Sequence, residues 1–455
     1  MKKTFLIAVL AAAAFVAMPL PGAVAAEAPD AKTAAAHPAS SDETKAGGCV
    51  TSKCHVDILS KKNVHDPAEG CTDCHESVST PHPAKGKKTF KLLNDVPDLC
   101  YTCHDTFGKK KTVHSPVQDG SCTDCHNPHS TAEEKLLIKP VGKLCKDCHD
   151  APYEGPKLHG PVEDGDCTEC HNPHETDTKS LLVKEGNALC FDCHTEKADE
   201  IKKKDVHAPV EDGCITCHDP HGSKFPAMLS EKVPKVCYSC HDTKEQEIKD
   251  AKVSHGALDD DKSCLLCHSP HASDNDALLE KPMRATCLEC HDGDMPANAK
   301  FLHGKNHDGK CTDCHAPHGG DLDNLLVKEF PDGNYHPWND KAYPLCFSCH
   351  ERTMVTDRET TTATGFRDGK KNLHAVHVGD DAKGRGCLMC HSVHGSDHPK
   401  LIQDAIPFGK WTMKLNFNKT DTGGSCAPGC HRQKFYDRDK PGKKTAVARA
   451  DEQAP

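Results

Sequence analysis

The pentapeptide CxxCH recurs along this chain, and that recurrence limits what it can fold into more than any other feature. Thirteen copies occur: Cys71, Cys74 and His75; Cys100, Cys103 and His104; Cys122, Cys125 and His126; Cys145, Cys148 and His149; Cys167, Cys170 and His171; Cys190, Cys193 and His194; Cys214, Cys217 and His218; Cys237, Cys240 and His241; Cys264, Cys267 and His268; Cys287, Cys290 and His291; Cys311, Cys314 and His315; Cys346, Cys349 and His350; Cys387, Cys390 and His391. Two wider variants frame them, Cys49, Cys54 and His55 at the front and Cys426, Cys430 and His431 at the back. These fifteen motifs use all 30 cysteines.

Paired cysteines admit disulfides, zinc ribbons or haem attachment. Neither a disulfide nor a zinc site needs a histidine fixed directly after the second cysteine. A c-type haem does. Two thiols add to the vinyl groups on one porphyrin edge, and the next residue then lies under the iron as its proximal ligand. The motifs therefore predict fifteen covalent haems c with their iron, with the fifteen motif histidines as proximal ligands.

Of the 34 histidines, nineteen remain. One group precedes a motif: His65, His114, His159, His207, His255, and His303 or His307. A second group follows a proximal histidine by three residues: His129, His174, His221, His271, His318 and His394. With His82, His374, His377 and His398, these are the candidate distal ligands, which would make each iron bis-histidine. His129 trails His126 by three residues, about 10 Å of extended chain. It cannot pass around the porphyrin edge, so it is expected on the next haem along. The upstream histidine is left open to either haem of a pair.

The repeat pairs an odd motif (LCxxCH) with an even one (DGxCTxCHxPH), and odd motifs from Cys100 recur every 45, 45, 47, 50 and 59 residues. A leucine pair or its equivalent follows each even motif, Leu136–Leu137 being the first, and reads as packing against haem. Only 36% of residues are hydrophobic and 5% aromatic, against 27% charged. That is too little apolar surface for a protein core. The expected fold is mostly irregular with short α-helices, an elongated tandem-repeat multihaem cytochrome whose core is built from haems, unfolded without them. Motif segments should begin helical turns. Residues 195–207 and 242–255 read as exposed helices, and 411–418 as a short strand over the last haem.

The start, MKK followed by an apolar run and GAVAA, predicts a secretory signal peptide over 1–26. Residues 27–48 read as a disordered leader, 49–318 as tandem haem pairs (haems 1–12), 319–436 as a C-terminal module with insertions (haems 13–15), and 437–455 as a polar tail. The mature chain is expected to be exported and soluble, with no membrane span, most readily periplasmic. The net charge of -11 becomes -13 without Lys2 and Lys3. Ionised haem propionates would take it to about -28. That argues against nucleic-acid binding and for redox partners with a basic face.

The stretches GSCTDCHNPH (120–129), GDCTECHNPH (165–174) and GCLMCHSVHGSDHP (386–399) resemble the multihaem cytochromes c with doubled CxxCH motifs. The last is similar to the C-terminal end of decahaem periplasmic cytochromes of metal-reducing bacteria. The CVTSKCH spacing also occurs in small tetrahaem cytochromes of sulfate reducers. This resemblance implies an electron carrier of anaerobic respiration or extracellular electron transfer, fed by an inner-membrane quinol oxidase or small cytochromes and emptied by an outer-membrane conduit. Two alternatives stay open: a reductase of a small nitrogen or sulfur oxyanion, and a structural or charge-storage haem protein. No CxxCK motif marks an open iron, and spare histidines outnumber motifs. Electron transfer without catalysis, and hence no catalytic residue, is the expectation.

Overall fold

The computed structural model describes residues 55–78, 82–150, 155–294, 299–304, 309–331 and 333–442. The expected signal peptide and leader, Cys49, Cys54, His307 and most of the expected polar tail lie outside them.

The chain is mostly irregular, with short helices and small antiparallel strand pairs. Proline and glycine interrupt it too often for long elements, and the longest α-helix among the described residues is Asp242–Asp250. Each even motif forms a single 3-10 turn, as at Cys122–Asp124. Odd motifs from Cys100 to Cys287 instead lie at the end of a short α-helix, as in Val141–Cys145, while Cys346–Ser348 is again a 3-10 turn.

The two expected exposed helices are present but shorter, at Thr195–Glu200 and Asp242–Asp250. Their ends have another task. Asp205–Val206 and Val253–Ser254 are strands, paired antiparallel with Ala272–Ser273 and Gly319–Gly320. Each such strand leads into an upstream histidine, His207 or His255. The same pairing joins Asn63–Val64 to Ser130–Thr131, Thr112–Val113 to Glu175–Thr176, and Phe301–Leu302 to Gly395–Ser396. Two-residue strands thus staple most repeats to the next, and a single bridge from Leu158 to Gly222 does so for the repeat at His159.

A protein core is nearly absent from the repeats. Among the described residues, the buried apolar side chains are Ala272 and a C-terminal set. That set forms two clusters, Ala342, Tyr343, Val355 and Val378, and Met389, Ile406, Met413 and Leu415. The strand expected over 411–418 is broken in two, because Asn416 takes a positive φ of 46°. Trp411–Lys414 pairs with Ala405–Phe408, while Asn418–Lys419 joins a three-stranded sheet with Gly423–Cys426 and Lys434–Asp437. A side chain at Gly423 would sit 1.9 Å from the Tyr436 carbonyl oxygen, so only glycine fits there. Asp437, where the tail was expected to begin, is buried and closes this sheet. Among the described residues, no helix is long and apolar enough to cross a membrane.

Candidate haem sites

Each site is built from two imidazoles drawn from different parts of the chain. Two imidazoles trans across a metal stand about 6.2 Å apart, centre to centre, given a metal–nitrogen bond of about 2.0–2.1 Å. The even-motif histidines each face a partner at this spacing: His75–His129 at 6.2 Å, His126–His174 at 6.0 Å, His171–His221 at 6.2 Å, His218–His271 at 6.1 Å, His268–His318 at 6.1 Å and His315–His394 at 6.2 Å. The odd-motif histidines do the same: His104–His65 at 5.9 Å, His149–His114, His194–His159, His241–His207 and His291–His255 at 6.0 Å, and His350–His303 at 6.1 Å. At the ends, His55 faces His82 at 6.1 Å and His391 faces His374 at 6.3 Å. His377 stacks on Phe366 with centroids 5.7 Å apart, and burial, then the charges of Arg385 and His431, lower its proton affinity.

The other ring nitrogen shows which atom is free to ligate. His65, His114, His159 and His207 each donate from Nδ1 to a proline carbonyl 2.9 Å away, on Pro128, Pro173, Pro220 and Pro270. Every even-motif histidine from His126 onward donates from Nδ1 to the carbonyl nine residues later: His126 to Lys135 at 2.9 Å, His171 to Ser180 at 2.8 Å, His218 to Ala227 at 2.7 Å, His268 to Ala277 at 2.8 Å, His315 to Asn324 at 2.8 Å and His391 to Lys400 at 2.8 Å. A carbonyl only accepts, so Nδ1 holds the proton and the Nε2 lone pair is left for a metal. Burial also lowers the proton affinity of several of these rings. His374 is held at about 4 by burial first, then by His391 and His377, so it is neutral and a competent ligand at ordinary pH.

These carbonyl acceptors escape sequence reasoning, although the leucine pairs marked their place. The acceptor residue and the first residue of each pair both take left-handed backbone, φ 55° at Lys135 and 57° at Leu136, then 57° at Ala277 and 55° at Leu278. Such angles are disfavoured for residues with a Cβ. The turn aims the carbonyl at the histidine, and the second residue of the pair bridges back to it, as Leu137 does to His126.

From Cys74 to Cys430 the cysteines run in a series. The first cysteine of an odd motif touches the first of the following even motif, as in Cys100–Cys122, Cys145–Cys167, Cys190–Cys214, Cys237–Cys264, Cys287–Cys311 and Cys346–Cys387. The second cysteine of an even motif neighbours the second of the next odd motif, from Cys74–Cys103 through Cys125–Cys148, Cys170–Cys193, Cys217–Cys240 and Cys267–Cys290 to Cys314–Cys349, and Cys390 neighbours Cys430. All the described cysteines are free of disulfides, and no three described His, Cys, Asp or Glu side chains converge on a bare metal ion. A trough of about 3900 Å³ follows the motif residues from Thr112 to His394. It exceeds an ordinary ligand pocket of about 300–1,000 Å³ several-fold, which fits a file of large planar groups.

The family model for the doubled CXXCH motif matches residues 65–109, 114–152, 159–199, 207–246, 255–296 and 303–355, more than half of the chain. The chain belongs to this doubled-CXXCH family. No curated protein matches it closely enough to be called similar. Membership makes it a multihaem c-type cytochrome, an electron-transfer protein with covalent haem c. Each doubled-CXXCH unit begins at an upstream histidine and holds an even motif followed by an odd one. His65 therefore pairs with His104 of its own unit, while the partner of His75 is borrowed from the next unit. The chain hands its CHxPH histidine backward, past one motif, where the residue count alone had suggested the next haem along.

Two histidines stand apart. His398 lies 2.6 Å from the Asp404 carboxylate and packs edge-on against Phe417, so its ring has partners other than a second imidazole. His336 meets Tyr343 edge-on at 5.5 Å.

Proposed function

We propose that this chain is an exported fifteen-haem cytochrome that carries single electrons across the cell envelope through bis-histidine haems, with no bond-making chemistry at any iron. The observation that carries this reading is that fourteen of the fifteen motif histidines face a second imidazole at 5.9–6.3 Å. Two axial imidazoles saturate an iron, so it exchanges an electron without exchanging ligands. Haem c supplies that one-electron step. The polypeptide fixes the upstream and even-motif imidazoles through Nδ1 and keeps neighbouring attachment points in contact. The cysteine series supports one continuous path rather than separate clusters.

In this reading residues 1–26 are removed on export, 49–318 hold twelve haems, and 319–436 hold three. The protein works in the periplasm, or passes to the outer membrane or cell surface. It takes electrons from an inner-membrane quinol oxidase or small cytochromes and delivers them to an outer-membrane conduit or an extracellular acceptor. Intact mass of the purified holoprotein should exceed that of the processed chain by fifteen haem masses, and steady turnover of nitrite or hydroxylamine should be absent. A mass short by two or more haems, or catalytic consumption of either substrate, would overturn the proposal.

A further inference from the structure

The histidines fixed through Nδ1 by backbone carbonyls meet nearly the same neutral acceptor in every unit. The CHxPH histidines differ. Their rings lie under the segment that follows an odd motif, and that segment changes from unit to unit. Phe107 stacks on His174 with centroids 4.6 Å apart. Lys244 and Glu247 of the Asp242–Asp250 helix flank His318. Over His271 the segment is the Thr195–Glu200 helix, and its last residue turns a carboxylate inward.

Glu200 Oε2 stands 3.4 Å from His271 Nδ1, with the two side chains only 17% and 27% exposed. Ser269 Oγ donates to the other carboxylate oxygen at 3.3 Å, and Lys197 Nζ holds Oε2 at 2.7 Å. Lys203 is the other cation near this carboxylate. Glu200 is thus held in place from three sides. Other carboxylates near paired histidines stand too far away to accept a hydrogen bond, Asp219 at 3.9 Å from His221 and Glu196 at 3.9 Å from His194.

We propose that Glu200 is a positioning residue that sets the potential of one haem, the one attached at Cys214 and Cys217 between His218 and His271. This rests on the bis-histidine reading above. A carboxylate charge this close to Nδ1 favours positive charge on the ring and makes the imidazole a stronger donor to the iron. The stronger donor stabilises ferric over ferrous iron and lowers the potential of that haem. Lys197 opposes this effect by sharing the same oxygen. The haem file then has a step near its middle, set by side chains of the protein and not by a change of ligand.

The test is a redox titration of the full-length holoprotein, comparing Glu200→Gln and Lys197→Met with the unaltered chain. Glu200→Gln keeps the shape but removes the charge, and should move about one fifteenth of the titrating haem absorbance to higher potential. A tenfold change in that haem's electron affinity appears as a shift of about 59 mV. Lys197→Met leaves the carboxylate unopposed and should move the same fraction the other way. Unchanged titrations, or shifts of the same sign in both variants, with every haem still low-spin, overturn the role of Glu200 while leaving the bis-histidine reading intact. A high-spin haem in the unaltered protein would instead sink that reading.

Discussion

His129 faces His75 at 6.2 Å, although His126 is only three residues away in sequence. The loop Cys122–His129 therefore completes one site with its motif and another with its last residue. The same exchange repeats down the file, so neighbouring units share histidine pairs as well as strands. Replacing His129 with alanine should create one high-spin haem, and it should be the haem attached at Cys71 and Cys74. The haem at Cys122 and Cys125 should stay low-spin. Magnetic circular dichroism counts the high-spin iron, and adding His75→Ala to the variant identifies it: the same haem is affected, so no second low-spin haem is lost.

The left-handed turn after each even motif from Cys122 onward is a local strain that the His Nδ1 bond offsets. Ala277 has φ 57° and its carbonyl accepts from His268 at 2.8 Å. Valine there should destabilise the holoprotein by roughly 1–2 kcal/mol, since branching at Cβ worsens a conformation already disfavoured by about that amount. Glycine should be neutral or slightly stabilising. Thermal denaturation of the two variants checks the opposite signs.

Much of the site was legible in the sequence because haem attachment demands a fixed order of atoms. Cys122, Cys125 and His126 can be read directly, and His129 and His114 follow from repetition. The direction of sharing was not legible. It depends on pairings such as Thr112–Val113 with Glu175–Thr176, strands too short to leave a periodic pattern. The acceptor role of Lys135 was equally hidden, because nothing in a lysine followed by two leucines announces left-handed backbone. At the C-terminus the alternation over 411–418 did signal extended chain, but not the break at Asn416 that sends its halves to two sheets. His398 shows the limit of counting histidines, since Asp404 was close enough to engage it.

Haem removal should separate the two parts of the chain. The repeats bury almost no apolar side chain of their own, whereas Tyr343, Val355, Met389 and Ile406 are buried in the C-terminal module. Each such side chain contributes about 1.5–3 kcal/mol, too little together to offset the ordering of several hundred residues at about 1–2 kcal/mol each. Haem-free chain should show no cooperative melting. Any hydrogen-exchange protection that survives should lie within 342–436.

Axial ring orientation sets one site apart. The planes of His303 and His350 are inclined by 53°, whereas those of His75 and His129 differ by 10°. Crossed imidazoles leave the ferric iron nearly axial, so the haem attached at Cys346 and Cys349 should give a low-spin signal with an unusually large g maximum. Electron paramagnetic resonance of the oxidised protein should show it, and His303→Ala should abolish it.

The central claim is that every iron is saturated by two imidazoles and serves only to pass electrons. Carbon monoxide binds ferrous haem that has a vacant or weakly held position. Titrating the fully reduced holoprotein with carbon monoxide at neutral pH should leave the Soret spectrum unchanged at all fifteen haems. Stoichiometric binding at even one haem would show an open iron, contradict the pairing of the histidines as axial ligands at that site, and move the protein from conduit to enzyme.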